Sequence, residues 1–333
     1  MQRKRAVRAL IIASLLSVVF YLGATVYFGW HDVHLALGRI TPLGVMAVLG
    51  LALCNYLLRA WRWRLYLALF SIQIPFIAHC RIYLAGFAFT MTPGKAGEMV
   101  RSLFLRRYSM RYSASVASFV AERSSDLFAA LFLAGAGAWF YPQTHVFTLL
   151  IALLVMALFI LLYHNGWILY LKKEAISRGK HRFIKLLNAG LDVVEGFRTC
   201  NTPKLFVASF VLAVLAWSTE GYGLYLLCDW IAPDVAPSVM QAIFIYALAT
   251  LVGAFTFLPG GIGGTEAVMV AALVFQGMAE AEAVACTLLL RSLTLWFAVG
   301  LGLIAITVEQ NIQGSQIDLS EQEPAELAPK HTR

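Results

Sequence analysis

Two stretches of this sequence place the same chemistry at the same spacing. In the first, Pro93-Gly94-Lys95-Ala96-Gly97-Glu98 is followed by Arg123, 25 positions after the carboxylate. In the second, Pro259-Gly260-Gly261-Ile262-Gly263-Gly264-Thr265-Glu266 is followed by Arg291, again 25 positions on. Each copy breaks an apolar run with Pro and Gly, supplies an acid, and brings a guanidinium one helix later. A guanidinium offers a planar fork that fits a phosphodiester. The free amides of a broken helix also suit an anion. Interrupted apolar segments at corresponding places in two halves are the pattern of a transporter's binding site.

Other charged residues lie in apolar surroundings: Arg81, Arg101, Glu122, Asp126 and Glu220. A charge at mid-bilayer costs roughly 2.5–3.5 kcal/mol on insertion scales, so these side chains are expected to face the protein interior and to be paired. Glu122 and Asp126 share a helix face at i, i+4, where two carboxylates repel unless a cation or proton sits between them. Arg123 and Asp126 can pair at i, i+3. This cluster reads either as a structural ion network or as one coupled to substrate or proton. Glu98 and Glu266 also have two readings. Each is placed to open a helix, where the dipole and free amides favour a carboxylate, or to pair with Arg123 and Arg291 around a buried headgroup site. Arg81 and Arg101 are candidates for further phosphate contacts, Arg101 equally for the cytoplasmic interface. The residues of the two breaks are Pro93, Gly94 and Gly97, and Pro259, Gly260, Gly261 and Gly263.

The elements that carry these residues follow from composition. The 333 residues are 60% hydrophobic and 13% charged, with mean hydropathy +0.74. A soluble domain has about 25% charged residues, so a polytopic membrane protein is the class that fits. Net charge is +8, and 20 of the 26 Lys and Arg fall in four stretches, 3–8, 59–64, 95–111 and 172–204. These flank apolar segments, so anionic headgroups and topology account for them better than nucleic acid does. The stretches 229–238 and 278–283 lack Lys and Arg and carry Asp229, Asp234, Glu280 and Glu282. The positive-inside rule then places both termini in the cytoplasm, with the chain in the cytoplasmic (inner) membrane.

That charge placement predicts full-span helices near 9–28, 42–58, 114–140, 145–163, 204–228 and 284–307. The basic flanks of 75–107 belong on one side, which makes this segment a re-entrant hairpin entered from the cytoplasm, in through about 75–92 and back out through a helix at 96–107. The acidic flanks of 239–277 make it a second one, entered from outside. Non-helical backbone at membrane depth is tolerated only where protein or a wet cavity surrounds it. The fold class expected is therefore an all-α polytopic membrane protein, with about six full-span helices plus two re-entrant helical hairpins related as an inverted repeat. It forms a single domain, 1–308. Residues 164–203 are expected as a cytoplasmic amphipathic segment and 309–333 as a disordered tail. The alternation Arg59-Ala60-Trp61-Arg62-Trp63-Arg64 reads as an interfacial anchor or a headgroup contact.

Five cysteines and seven histidines form no ligand spacing, and no nucleophile elbow, P-loop or dinucleotide fingerprint is present. No metal, cofactor or catalytic residue is expected, and the chain is not expected to be an enzyme.

At Pro93-Gly94, Gly97-Glu98 and Arg101, then Ala121-Glu122-Arg123 and Asp126, then Pro259-Gly260-Gly261-Ile262-Gly263 and Glu266, then Leu290-Arg291, the sequence resembles the flippase-like membrane family that includes the transmembrane region of lysylphosphatidylglycerol synthase. The resemblance spans about 8–308. It implies translocation of a phospholipid or polyprenyl-phosphate lipid, and it adds Lys95 as a site candidate. In the full-length synthases a soluble C-terminal domain performs aminoacyl transfer; only about 25 polar residues follow the last apolar helix here, so that activity is not expected. The alternative is an accessory membrane protein that supports a glycosyltransferase or lipid-modifying enzyme without moving lipid. A third is an integral membrane transferase using the buried acids.

Overall fold

The computed structural model describes residues 23, 38–138, 145–164, 166–177, 181–256 and 258–322. The helix expected at 9–28 lies outside the described residues. Among those described there is no strand. The helices are α1 (Pro42–Leu69), α2 (Phe76–Phe87), α3 (Arg101–Leu105), α4 (Tyr112–Gly137), α5 (His145–Tyr163), α6 (Gly166–Ser177) and α7 (His181–Cys200). They continue with α8 (Pro203–Ile231), α9 (Val239–Phe255), α10 (Gly264–Phe275), α11 (Glu280–Arg291) and α12 (Phe297–Gln322).

Local chemistry sets several of the starts. Pro42 occupies the first turn of α1, and Thr41 accepts a hydrogen bond from the Gly44 amide at 3.2 Å. α8 begins at Pro203 in the same way. Ser238 and Gln241 form a reciprocal cap on α9.

Three helical stretches are long and apolar enough to cross a bilayer: Pro42–Leu69, Pro203–Ile231 and Glu280–Ile312. A fourth is reached if 148–161 and 166–174, bent by 53°, act as one span. The last stretch runs from α11 into α12 through a π-helical segment, Ser292–Trp296, to whose Thr294 carbonyl Tyr56 donates. α5 turns Leu149, Leu150, Leu153, Leu154, Ile160 and Leu161 outward. An apolar face of that extent suits lipid, not water. α4 is also long, about 39 Å at 1.5 Å per residue, but carries Glu122, Arg123 and Asp126 in its middle.

Neither break region follows one continuous helix. α9 and α10 pack against each other as a hairpin about Pro259–Gly261. At about 25 Å and 18 Å, both are shorter than the roughly 30 Å hydrocarbon core. In the first region α2 is followed by a 3-10 segment, Pro93–Val100, and only five residues of α-helix, α3. The single outgoing helix expected at 96–107 is therefore replaced by two short pieces. The 3-10 segment packs on the Pro259–Gly261 turn, so the two breaks touch.

Two further expectations change. α1 continues to Leu69, past the expected end at 58, and takes Arg59 and Arg62 into the interior (5% and 0% exposed). α12 continues as helix to Gln322, so the stretch expected as a disordered tail begins as helix.

Candidate functional site: a buried charge cluster beside a two-break cavity

α1, α3, α4 and the 3-10 segment bring four arginines and three carboxylates into one buried cluster. Glu122 lies at its centre. It accepts from Tyr83 Oη at 2.5 Å, from Arg101 Nη1 at 3.1 Å and from Arg123 Nη2 at 2.9 Å. Arg62 and Arg59 approach it more loosely, at 3.6 and 3.8 Å. Asp126, one turn along, takes Arg62 at 2.7 Å, Arg123 at 3.1 Å and the Trp217 indole N–H at 3.1 Å. The repulsion expected between Glu122 and Asp126 is thus relieved by two shared cations, Arg62 and Arg123. Glu98 accepts from Thr90 at 2.9 Å and Arg101 at 3.1 Å, with Arg123 at 3.7 Å.

Buried charges are costly unless paired and hydrogen-bonded; the three carboxylates and Arg62, Arg101 and Arg123 are so held, while Arg59 makes no hydrogen bond. Arg101, 2% exposed, also lies over the rings of Trp63 and Tyr83 at 4.9 and 4.6 Å. It is an interior residue of the protein. Arg59, Arg62, Arg101 and Arg123 against Glu98, Glu122 and Asp126 leave one surplus positive charge in this group. Tyr66, Ser125 and Ser209 extend the polar packing between α1, α4 and α8.

The second break holds a smaller pair. Arg291 donates from Nε to Glu266 at 2.7 Å and from Nη2 to the Gly260 carbonyl at 2.7 Å. Glu266 also accepts from the Gly263 amide at 2.7 Å. It therefore fulfils both of its expected roles, cap and arginine partner. Glu98 does not open a helix; it sits near the end of the 3-10 segment. Gly260, Gly261 and Gly263 have φ of +63°, +70° and +84°, a region that side chains other than glycine's enter at a cost. In the first break, Gly97 is pressed against the Phe89 carbonyl, 2.8 Å from where a Cβ would stand. Pro93 opens the 3-10 segment and Gly94 lies in its first turn. Pro259 begins the second turn. The side chain of Lys95 lies outside the described residues.

Both groups open on one cavity of about 250 Å³. The first half supplies Arg59, Glu98, Arg123 and Asp126, and the second supplies Gly260, Gly261 and Arg291. Trp217, Glu220 and Tyr246 complete its polar wall; Glu220 accepts from the Tyr246 hydroxyl. Arg81 is not brought to this cavity. It pairs with Glu309 of α12, which Arg107 holds from the other side at 2.8 Å.

Arg59 and Arg62, read in the sequence only within a stretch that is an interfacial anchor or a headgroup contact, are buried members of the cluster. Their signal was the helical spacing of Ala52, Tyr56, Arg59, Ala60, Trp63 and Leu67, all buried on one face of α1. The alternation of Arg with Trp hid it.

The comparisons with known proteins agree with an integral membrane protein. Two curated relatives, both described as "UPF0104 membrane protein" from Methanothermobacter thermautotrophicus, are similar across nearly their whole length. One is 25% identical over 319 residues, covering 89% of this chain and 94% of the relative. The other is 26% identical over 318 residues, covering 89% and 90%. The model of the family described as "Lysylphosphatidylglycerol synthase TM region" matches residues 9–302, and this integral membrane protein belongs to that family.

Proposed function

We propose that the chain is a lipid transporter of the inner membrane, flippase- or scramblase-like, that binds the phosphate-bearing headgroup of a phospholipid or polyprenyl-phosphate lipid in the central cavity. One observation carries this reading: Glu98 and Arg123 of the first half and Gly260, Gly261 and Arg291 of the second line one cavity. On this reading the hairpins at 75–107 and 239–277 are re-entrant and form an inverted repeat, entered from opposite faces. The acyl chains stay in lipid, and the headgroup exchanges its water shell for guanidinium and hydroxyl donors. Helix breaks at such a site are the membrane version of an anion-binding helix terminus.

The direct test is reconstitution of the purified chain in liposomes with headgroup-labelled fluorescent phospholipids. The labels on the outer leaflet are quenched with dithionite, and movement is read as loss of the protected inner fraction. Transport by the wild-type chain, reduced at least tenfold in Arg291→Gln, supports the reading. Liposomes that keep half their label, with a folded protein present, would sink it.

A further inference from the structure

We propose that Arg59 is the seat of the oxyanion in this cavity: its guanidinium, which makes no hydrogen bond to the protein, grips the phosphate. The proposal deepens the transport reading above and rests on it.

Three arginines line the cavity, and their commitments differ. Arg291 spends Nε on Glu266 and Nη2 on the Gly260 carbonyl, both at 2.7 Å. Arg123 shares Nη2 among Glu122, Asp126 and Glu98, at 2.9, 3.1 and 3.7 Å, while its Nε has no partner. Arg59 is 5% exposed, yet its Nε and Nη2 have no hydrogen-bond partner within the protein. The Glu122 carboxylate lies 3.8 Å from it, beyond hydrogen-bond reach.

Position without commitment is what a ligand seat needs. The guanidinium centre lies 5.2 Å from the centroid of the Phe87 ring and 5.7 Å from that of Trp217. Two rings hold the cation without using its N–H groups. Nε and Nη2 are shut off from solvent, so a side-chain shift must open them to the cavity before they present the fork that matches two phosphate oxygens. A buried cation short of partners is costly, and an arriving phosphate oxyanion removes that cost. The shared chemistry is a phosphate anion, whether on a lipid headgroup or free in solution.

The test uses the full chain in detergent and measures binding of three probes: dihexanoyl phosphatidylglycerol, its phosphate-free counterpart dihexanoyl glycerol, and inorganic phosphate. Arg59→Gln is expected to weaken phosphatidylglycerol binding about 10- to 100-fold, as loss of charge-assisted hydrogen bonds does. It should leave dihexanoyl glycerol binding unchanged, and the unliganded melting temperature should stay level or rise. Arg59→Lys, which keeps charge but not the fork, should fall between, and Arg64→Gln, on the exposed face of the same helix, should match wild type. Loss of inorganic phosphate binding in Arg59→Gln as well assigns the seat to the free anion too; loss of lipid binding alone assigns it to the headgroup.

Equal phosphatidylglycerol affinity in folded Arg59→Gln and wild type overturns the proposal while leaving the transport reading intact. No binding of any phosphate probe by wild type removes both. If neither Arg59 variant folds, Arg59 is a structural counter-ion of Glu122 and the proposal fails.

Discussion

Arg291 reaches back 25 residues to Glu266 at 2.7 Å, and by the same side chain holds the Gly260 carbonyl at the centre of the second break. The turn, the first residues of α10 and the end of α11 therefore depend on one guanidinium. The pair is largely buried, with the side chains 8% and 13% exposed. Removing one partner leaves the other desolvated and alone, which costs about 3–5 kcal/mol for fully buried pairs. Arg291→Gln and Glu266→Gln should each approach the lower end of that range. The double variant should lose less than the sum of the two. Unfolding in detergent with increasing SDS measures all three, and additive losses would rule out the coupling.

This pair was legible because both members stand at fixed offsets from a visible Pro-Gly break. Arg123–Asp126 was legible for a similar reason, since i, i+3 on one helix forces proximity. The partners contributed by distant elements were not. Arg62 meets Asp126 across 64 positions, and Arg81 meets Glu309 across 228; no local period encodes either contact. Glu309 looked like the first residue of a polar tail, because hydropathy averages over a window while one buried acid needs only one suitable niche. The outgoing helix at 96–107 failed for a local reason. Thr92 accepts the Gly97 amide at 2.6 Å, which ties the chain into a tight 3-10 course where α-helix was expected.

Arg62 gives the clearest separation between structural and functional charge. It is 0% exposed, does not line the cavity, and holds Asp126 at 2.7 Å and Glu122 at 3.6 Å. Arg62→Met should destabilise the fold by about 1.5–3 kcal/mol, since it removes the shortest charged hydrogen bond of buried Asp126 and leaves it Arg123 and the Trp217 indole. Arg64→Met, two residues on and exposed, should change stability by no more than about 0.5 kcal/mol. Paired thermal unfolding curves in one detergent check this. Equal stability of the two variants would mean the cluster tolerates a missing cation.

Glu309 joins α2 and the end of α3 to the last helix through Arg81 and Arg107, although it is itself fully buried. Glu309→Ala leaves two arginines facing each other with no acid between them. Hydrogen bonds to charged groups contribute about 1.5–3 kcal/mol each, so the α12 segment beyond residue 305 should open more readily. Deuterium exchange of the backbone there should accelerate at least tenfold, while exchange in α8 stays unchanged. Uniform acceleration across both helices would point to global unfolding instead of a local latch.

The two breaks touch, and the transport reading proposed above has them entered from opposite faces. The flanks of 75–107 are basic, and those of 239–277 carry Asp229, Asp234, Glu280 and Glu282 without Lys or Arg. Under the positive-inside rule the first break is approached from the cytoplasm and the second from outside. Single cysteines at Lys95 and Leu258 report on this directly. Leu258 is 48% exposed and lines the cavity beside the second turn. Cys54 is exposed and Cys80 partly so, and both need replacing by Ser first; Cys200, Cys228 and Cys286 are buried. In sealed right-side-out vesicles a membrane-impermeant maleimide should label Leu258→Cys but not Lys95→Cys, and inside-out vesicles should reverse the pattern. Labelling of both from the same face would make the segments parallel repeats, and a cavity fed from one side only would then have to release its headgroup where it entered.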